Sequence, residues 1–334
     1  MNSPENFRER ALQFFPGGSN GEYGIPEGDA PVLERGQGCR VWDTGGREYL
    51  DMTMAWGAAL VGHAHPKVLE AATATASKGA NFAAVNRPMV ELAERIADLS
   101  PCVERIRFVA SGTEATMLCL RTARAATGRP KILKFEGAYH GQYPEGVTSL
   151  VGSDPPELPH PDSSGTGAPW VERDVLVAPY NDLAATRQIL TDYADELAAV
   201  IVEPLHRCIP PVDGFLQGLR EVTASLGIVL VFDEVVTGFR LALGGAQEYY
   251  GVSPDLVAYG KGLGGGFPIG AFGGRADVME AVNEQRLPGP NYAWSASTTG
   301  GNPVSSAAAL ATIDVFSEPG LYDRLHAMGR QLRE

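Results

Sequence analysis

One lysine of this sequence lies where a charge is unexpected. Lys261 occurs in the run Tyr259-Gly-Lys-Gly-Leu-Gly-Gly-Gly266, directly after a short apolar stretch, and the chain has five lysines against 40 glycines. A lysine that is partly shielded from water has a lowered pKa and can form a Schiff base with a carbonyl compound. The alternative is a solvated surface lysine, the usual state of a lysine considered by itself.

A carboxylate precedes this lysine by 28 residues. Asp233 ends the apolar run Ile228-Val-Leu-Val-Phe232, and a helix and a second parallel strand fit between it and Lys261. The acid and the amine would then lie at the carboxyl ends of strands in one α/β sheet, where ligands bind. A buried carboxylate needs a partner, which could be a protonated ring nitrogen, a structural hydrogen bond or a metal. The metal is the weakest candidate, because Glu234 should point to the opposite face.

A further candidate ligand site lies where a predicted strand meets a helix. Ser111, Gly112 and Thr113 follow the apolar run at 106–110 and begin a helix. The free N–H groups and the two hydroxyls at this N-terminus would bind an anion such as phosphate. A plain helix cap by Ser111 or Thr113 explains the same residues equally well.

Two more side chains follow apolar strands. Tyr139 comes shortly after the strand predicted at 131–135, so its ring could stack on a planar ligand or could cover apolar surface at a rim. Glu203 ends the apolar run Val200-Ile-Val202. By the reasoning applied to Asp233, a carboxylate in that position also requires a partner.

The composition excludes several classes of protein. A net charge of −13 and a pI of about 5.0 argue against a nucleic-acid surface. No apolar run reaches the roughly 18 residues of a membrane span, and the N-terminus lacks an apolar signal region, so we expect a cytoplasmic protein. The four cysteines are scattered and are expected to be reduced. His63 and His65 are better explained by a helix-entry loop than by a metal, so no metal site is predicted.

Strands and helices alternate through most of the chain, a pattern typical of a mostly parallel sheet covered by helices. A hairpin is predicted at 38–51, with its turn at 43–46, and a long surface excursion at 142–170, which is rich in Gly, Pro, Ser and Asp. Apolar strands are predicted at 106–110, 131–135, 175–178, 198–202, 228–232 and 256–258, and helices at 66–77, 89–99, 111–126, 183–198 and 216–226.

Taken in order, runs along most of the chain resemble the class III pyridoxal-phosphate aminotransferases of fold type I, and among them the glutamate-1-semialdehyde aminomutase-like group. Each run is a weak signal alone, whereas the ordered set is specific. The runs are Val41-Trp-Asp43, Tyr49-Leu-Asp51, Trp56-Gly57, Gly62-His-Ala-His-Pro66, Arg107-Phe-Val-Ala-Ser-Gly-Thr-Glu-Ala115, Lys134-Phe-Glu-Gly-Ala-Tyr-His-Gly141, Ile201-Val-Glu-Pro204, Asp233-Glu-Val-Val-Thr-Gly-Phe-Arg240, Tyr259-Gly-Lys-Gly-Leu-Gly-Gly-Gly-Phe-Pro-Ile-Gly270 and Gly300-Gly-Asn-Pro303.

The resemblance implies a fold and a cofactor-binding set. The fold would be a seven-stranded, mostly parallel sheet with helices on both faces, and the cofactor would be pyridoxal 5'-phosphate. Lys261 would form the Schiff base with the cofactor and act as the base of the proton shift. Asp233 would keep the pyridine nitrogen protonated, so that the ring accepts electrons. Ser111, Gly112 and Thr113 would bind the phosphate.

Other roles follow from the same resemblance. Tyr139 would stack on one face of the cofactor ring and Val235 would pack on the other. Glu203 would lie close to the cofactor and the substrate, and Trp56 would line the substrate side. Thr298 would reach the phosphate of the neighbouring subunit, so the resemblance implies a homodimer.

The resemblance also divides the chain into three parts. Residues 1–60 would be the N-terminal segment of the small domain, and residues 61–310 the large cofactor-binding domain. Residues 311–334 would begin the C-terminal small domain. The amphipathic stretch at 320–334 has no stop signal after it, so we expect the C-terminal domain to be largely truncated.

Two runs depart from the aminomutase pattern on the substrate side. Ser19-Asn-Gly-Glu-Tyr-Gly-Ile25 replaces an Asn-Ser-Pro-Val-Arg type run, and no carboxylate-binding arginine is evident there. Leu205-His-Arg-Cys-Ile209 replaces a Gly-Asn-Met-Gly type run and places Cys208 near the substrate.

Three functions are compatible with these residues. The first is an aminotransferase that moves an amino group from an amine or amino-acid donor to an aldehyde or ketone acceptor through a Lys261 Schiff base. The alternative is an aminomutase of the glutamate-1-semialdehyde 2,1 type, which uses the same catalytic residues but is disfavoured by the two altered runs. The third is a protein that binds the cofactor without turnover, as a regulator or assembly subunit. The expected partners are small molecules, and the sequence does not identify the donor or the acceptor.

Overall fold

A small antiparallel sheet comes first in the chain. The computed structural model describes residues 4–21, 31–151, 156–287 and 289–334. The small sheet consists of β1 (Leu33–Gln37), β2 (Arg40–Asp43) and β3 (Glu48–Leu50), in that order. The hairpin predicted at 38–51 is confirmed, and β1 is a third strand that the sequence pattern did not predict.

The elements that follow alternate between strands and helices. The helices α1 (Pro4–Phe14), α2 (Met54–Gly57, a short turn), α3 (Pro66–Ala76) and α4 (Arg87–Leu99) precede the large sheet. The large sheet and its helices then comprise β4 (Arg105–Val109), α5 (Gly112–Thr127), β5 (Lys131–Phe135), α6 (Pro144–Val147), β6 (Val175–Ala178), α7 (Leu183–Asp192), β7 (Leu197–Val202), α8 (Phe215–Leu226), β8 (Val229–Glu234), α9 (Gly245–Tyr250), β9 (Leu256–Tyr259), β10 (Gly270–Gly274), α10 (Ala276–Met279), α11 (Pro303–Phe316) and α12 (Leu321–Arg333).

Within the described residues the large sheet has seven strands, in the order β4-β10-β9-β8-β7-β5-β6. The pairs from β9 through β8, β7 and β5 to β6 are parallel, and β10 is antiparallel to both of its neighbours. The predicted mostly parallel sheet is therefore confirmed. Because β8 and β9 are parallel neighbours, their carboxyl ends meet at one edge.

The two faces of this sheet bury different sets of side chains. In β8, Val229 and Val231 pack on the face covered by α5, whereas Leu230 and Phe232 pack on the face covered by α4, α7, α8 and α11. Successive strand residues point to opposite faces, so Asp233 continues the α5 side. Strands buried on both faces must be apolar throughout, which is why their sequences stand out.

The excursion predicted to lie on the surface at 142–170 is only partly exposed over its described residues, 142–151 and 156–170. Its start folds back onto the loop after β5, with hydrogen bonds from the N–H groups of Gly137 and His140, and the side chains of Tyr143, Thr148 and Ser149 are buried. Lys134 explains this path, because its fully buried ammonium donates hydrogen bonds to the carbonyls of Ala138, Gly146 and Thr148. Burial lowers the pKa of Lys134 to about 7.

One further expectation about an element was wrong, and one strand was not expected. The helix predicted at 183–198 ends at Asp192, because Leu197 already belongs to β7 and pairs with Lys131 of β5. The strand β10 was not predicted, since its sequence Gly-Ala-Phe-Gly-Gly lacks the β-branched residues typical of strands. Among the helices of the described ranges, none has the length and apolar character needed to cross a membrane.

Candidate active site

A cavity of about 220 Å³ opens at the edge of the sheet where the parallel strands end. Its walls come from the loops after β4, β5, β7, β8 and β9, which the chain order places far apart. The residues predicted from the sequence that line it are Ser111, Gly112, Thr113, Tyr139, Glu203, Asp233, Val235 and Lys261. Trp56, Cys208 and Thr298 are not among its lining residues.

Lys261 enters this cavity from the turn after β9. Its backbone has a φ of +41°, a left-handed conformation that costs a non-glycine residue energy and is concentrated at functional sites. Burial lowers the pKa of the Lys261 ammonium, although the negative charges of Asp233 and Glu203 oppose the shift. No hydrogen bond or ion pair to its amine is found in the described part of the chain. The amine is therefore partly desolvated and available for reaction.

Asp233 is buried at the end of β8 and holds a defined partner. One carboxylate oxygen, Oδ2, lies 2.7 Å from Nδ1 of His140, and the other, Oδ1, accepts a hydrogen bond from the N–H of Val235 at 3.0 Å. His140 is itself buried, and its Nε2 has no hydrogen-bond partner among the residues that the structure describes. The histidine orients the carboxylate while leaving further acceptor capacity on it.

Glu234 serves a different purpose from its neighbour. Its fully buried carboxylate accepts hydrogen bonds from the N–H of Ala246, the side chain of Gln247 and the hydroxyl of Thr237. Burial raises the pKa of Glu234, and these hydrogen bonds act against that shift. Glu234 therefore anchors the start of α9, and the expectation that Asp233 and Glu234 face opposite sides is confirmed.

The N-terminus of α5 forms another wall. Ser111 is the helix cap, and its hydroxyl accepts a hydrogen bond from the N–H of Glu114 at 3.2 Å. The N–H groups of Gly112 and Thr113 have no acceptor among the described residues. A Cβ on Gly112 would lie 2.6 Å from Cγ1 of Val235, so glycine is needed for the helix to approach β8 this closely. The start of α5 is therefore capped by Ser111 and still has two N–H groups free to bind an anion.

Glu203 connects the loops after β5 and β7. Its Oε1 accepts a hydrogen bond from the N–H of Tyr139 at 2.9 Å, and its Oε2 accepts one from the N–H of Arg207 at 3.0 Å. The guanidinium of Arg207 lies 5.6 Å from the ring centroid of Tyr139. The carboxylate thus holds both loops at the rim of the cavity.

Trp56 lies on a strained turn outside the cavity. Met54, Ala55 and Trp56 all have positive φ, and the Trp56 side chain is 63% exposed. Oδ1 of Asp51 accepts hydrogen bonds from the N–H groups of Thr53 and Met54 and so caps this turn. We retain the assignment of Trp56 to the substrate side as a prediction.

Two further contacts, made by His63 and Arg240, hold this turn in place. His63 Nε2 lies 2.7 Å from Oδ2 of Asp51. Burial opposes ionisation of Asp51, but the hydrogen bonds from His63, Met54 and Thr53 together lower its pKa to about 2. Arg240, from the loop after β8, donates a hydrogen bond to the carbonyl of Gly57, which ties the turn to the wall that carries Val235.

Cys208 and Thr298 are exposed. Cys208 follows Arg207 in the loop after β7, and the carbonyl of Thr298 accepts a hydrogen bond from Asn81. Their proposed contacts with the substrate and with a neighbouring subunit remain predictions. The altered run at 19–25 lies partly outside the described residues, which exclude 22–30.

Sequence reasoning gave no role to several residues that line the cavity, among them His140 and Arg207. His140 belongs to the run Tyr139-His-Gly141, but no spacing signals that it meets Asp233, 93 residues later. Arg207 lines the cavity and was noted only as part of an altered run. Among the described residues no group of three histidine, cysteine or acidic side chains could hold a metal ion.

Comparison with known proteins adds to this geometry. A family model described as aminotransferase class-III matches residues 26–334. The protein named glutamate-1-semialdehyde 2,1-aminomutase 2 from Brevibacillus brevis is 44% identical over 340 residues, which cover 98% of this chain and 78% of that relative.

Solved structures with the same architecture are also similar in sequence. An omega-transaminase from Sphaerobacter thermophilus is 38% identical with a TM-score of 0.93, and the match covers 99% of this chain and 76% of that one. A transaminase with PLP bound is 32% identical with a TM-score of 0.90, over 98% of this chain and 77% of the other.

Proposed function

Because this chain belongs to the class III aminotransferases, we propose that it catalyses pyridoxal-phosphate-dependent transfer of an amino group in the cavity at the ends of β8 and β9. The observation that carries the proposal is the convergence of three groups on one cavity. These are a partly buried amine on Lys261, a buried carboxylate on Asp233 and the free N–H groups at the start of α5.

The residues of the cavity fit this cofactor. The free N–H groups of Gly112 and Thr113 at a helix N-terminus suit a phosphate, and Asp233 suits a protonated ring nitrogen. When bound, pyridoxal phosphate supplies an aldehyde that condenses with amines and a ring that withdraws electrons. Tyr139 and Val235 both line the cavity, and we assign them to the two faces of the ring.

Lys261 has two tasks in this proposal. Its Nζ would hold the cofactor covalently, and as a free amine it would move a proton between two carbon atoms of the reacting molecule. Both tasks need a neutral amine, and burial favours the neutral form by lowering the pKa of Lys261. General acid–base catalysis by such a group contributes about 10²- to 10⁴-fold to the rate.

Asp233 would supply the charge that keeps a proton on the ring nitrogen. Its position is set by two contacts, from Nδ1 of His140 and from the N–H of Val235. A carboxylate fixed in this way need not reorganise during the reaction, so its field acts at full strength in the buried cavity. His140 is accordingly a positioning residue.

The catalytic residues serve intermolecular transamination and intramolecular amine transfer equally. The relative from Brevibacillus brevis is named as an aminomutase, which favours intramolecular transfer. The structural similarity to an omega-transaminase favours intermolecular transfer. Our sequence-based expectation was transamination. The comparisons support the aminomutase alternative at least as well, and we carry both reactions forward as versions of one proposed chemistry.

Product analysis separates the two versions. Holoenzyme incubated with glutamate 1-semialdehyde alone would form the isomer in which the amino group has moved from carbon 2 to carbon 1, if the chain is an aminomutase. With an amine donor and a separate carbonyl acceptor, a transaminase would release the ketone or aldehyde of the donor in amounts equal to the new amine. Failure of both reactions would refute the proposed function.

The lowered pKa of Lys261 predicts that this lysine reacts with the cofactor at a lower pH than an ordinary lysine does. Apo-protein mixed with pyridoxal phosphate from about pH 6 to about pH 10 and then reduced with borohydride should carry the label on Lys261 at the low end of this range. Lys67 is the internal control, because its hydrogen bond to Glu318 raises its pKa, so it should react only at the high end. Peptide mass mapping that finds equal labelling of both lysines at low pH would contradict the assignment.

We propose a homodimer in which the exposed Thr298 contacts the cofactor phosphate of the partner, and a cytoplasmic location. We also propose that residues 61–310 form the cofactor-binding domain, flanked by small-domain segments at 1–60 and 311–334. Size measurement of the holoenzyme by analytical ultracentrifugation tests the homodimer.

A further inference from the structure

Arg207 stands at the tip of a tight turn beside the cavity. His206 and Ile209 exchange two backbone hydrogen bonds, of 3.0 and 2.8 Å, so only Arg207 and Cys208 lie between them. The turn directly follows Glu203 and Pro204 at the end of β7. Its position brings the Arg207 side chain to the wall that also contains Tyr139, Glu203 and Lys261.

The backbone of Arg207 is in a conformation that favours glycine. Its φ is +58°, and the first central residue of such a two-residue hairpin is commonly glycine for this reason. Contacts on either side hold the strained geometry. The Glu203 carboxylate accepts the N–H of Arg207 at 3.0 Å, and the ring of His206 is stacked on Tyr180 with centroids 4.7 Å apart. Glycine would adopt this φ without strain, so the presence of an arginine here points to a role for its side chain.

The charge of Arg207 has no acidic partner among the described residues. Its Nε and Nη2 both donate to the carbonyl of Gly137 at 3.3 Å, and no carboxylate of the described residues lies within ion-pair distance of its guanidinium. The cavity's own acids are already engaged. Asp233 binds His140, and both oxygens of Glu203 accept backbone N–H groups.

We propose that Arg207 binds a carboxylate group of the substrate and so restricts this enzyme to amines and carbonyl compounds that carry one. This inference rests on the proposed amine transfer and specifies its substrate class. A guanidinium presents several N–H donors in a planar fork that matches a carboxylate in two parallel hydrogen bonds. The contacts to a single carbonyl, of Gly137, are long and leave donors free for such a ligand.

Binding of unreactive anions tests this role without requiring turnover. We would titrate wild-type and Arg207→Gln holoenzyme with a series of dicarboxylates from malonate to adipate, and with the corresponding neutral diamides, by isothermal titration calorimetry. The wild type should bind the best dicarboxylate more tightly than its diamide. Arg207→Gln should weaken the dicarboxylate about 10- to 100-fold, the usual effect of losing a charge-assisted hydrogen-bonded pair, and leave the diamide unchanged.

Three other variants separate recognition from folding. Arg187→Gln removes an exposed arginine of α7 and should bind like the wild type. Arg207→Lys retains the charge but not the planar fork and should recover only part of the affinity. Arg207→Gly relieves the positive φ, so its Tm should be equal to or above that of the wild type while dicarboxylate affinity is lost.

Specific results would overturn the inference. They are an absence of dicarboxylate binding by the wild type across the series, equal losses for dicarboxylates and diamides, or release of pyridoxal phosphate from the Arg207→Gln variant. The outcomes also distinguish the two proposals. Holoenzyme that binds dicarboxylates through Arg207 but transfers no amine would refute the proposed function alone. Turnover with unchanged selectivity in Arg207→Gln would refute only the role of Arg207.

Discussion

Replacing Lys261 with alanine will abolish amine transfer, with kcat falling by at least about four orders of magnitude. The variant loses the amine that binds the cofactor covalently and that moves the proton. No other lysine of the chain lines the cavity among the described residues. Lys134 is buried close by, but it is fully engaged with three carbonyl oxygens and cannot substitute.

Lys261→Ala also separates an enzyme from a protein that only binds the cofactor. The start of α5 and Asp233 are unchanged in the variant, so pyridoxal phosphate should still bind, but borohydride should no longer fix it to the protein. Activity, cofactor content and labelling would be measured together, with Lys78→Ala, at an exposed helix end, as the control. Equal turnover by Lys261→Ala and the wild type would remove the basis of the proposed mechanism.

Replacing Asp233 with asparagine should lower kcat by about 10²- to 10³-fold, the usual effect of removing one preorganised electrostatic group. Asparagine has almost the same shape and can still accept the hydrogen bond from the N–H of Val235. It carries no negative charge, however, and therefore no longer favours the proton on the ring nitrogen. The loss should appear in kcat with little change in the free energy of unfolding, because His140 can carry its proton on Nε2 and accept a hydrogen bond from the new amide at Nδ1.

The neighbouring residue offers a matched control. Glu234→Gln makes the same chemical change one position along β8, on the opposite face of the sheet. The NH2 of the new amide would stand against the donor of either Ala246 or Gln247, which we expect to cost about 1–3 kcal/mol of unfolding free energy. Its kcat per folded molecule should stay close to that of the wild type.

The two variants together decide the assignment. Kinetics and urea unfolding of Asp233→Asn and Glu234→Gln should show opposite patterns, with catalysis lost in the first and stability lost in the second. If both variants lost stability and retained activity, Asp233 would be a structural acid held by His140 and not a catalytic one.

A strand could be predicted from the sequence when its own side chains supply the packing, and could not when close contact between backbones does. β8 is covered by helices on both faces of the sheet, and its apolar side chains pack against them. Its run of Val, Leu and Phe therefore identified it as a strand. β10 is different, because its glycines allow close contact with neighbouring backbone. A Cβ on Gly270 would lie 2.3 Å from the carbonyl oxygen of Ser111. That requirement arises only once the chain has folded, and no local pattern predicts it.

The same distinction applies to the site. Lys261 and Asp233 were predictable because a charge in a glycine loop and a charge at the end of an apolar strand each break the local pattern. His140 and Arg207 break no such pattern. Their positions depend on the paths of two loops that Lys134 and Glu203 hold through hydrogen bonds to backbone atoms, and the bond from the N–H of Tyr139 to Glu203 joins residues 64 positions apart.

The sequence by itself determined the chemistry available to this protein, namely an amine, a carboxylate and a helix N-terminus placed at the ends of apolar strands. Only the tertiary structure decided which charges are paired and which are free. Asp233 is engaged by His140, Glu203 by two N–H groups, and Arg207 has no acid within reach among the described residues. Pairing depends on distances of a few ångströms between residues as much as 93 positions apart, and those distances exist only in the folded chain.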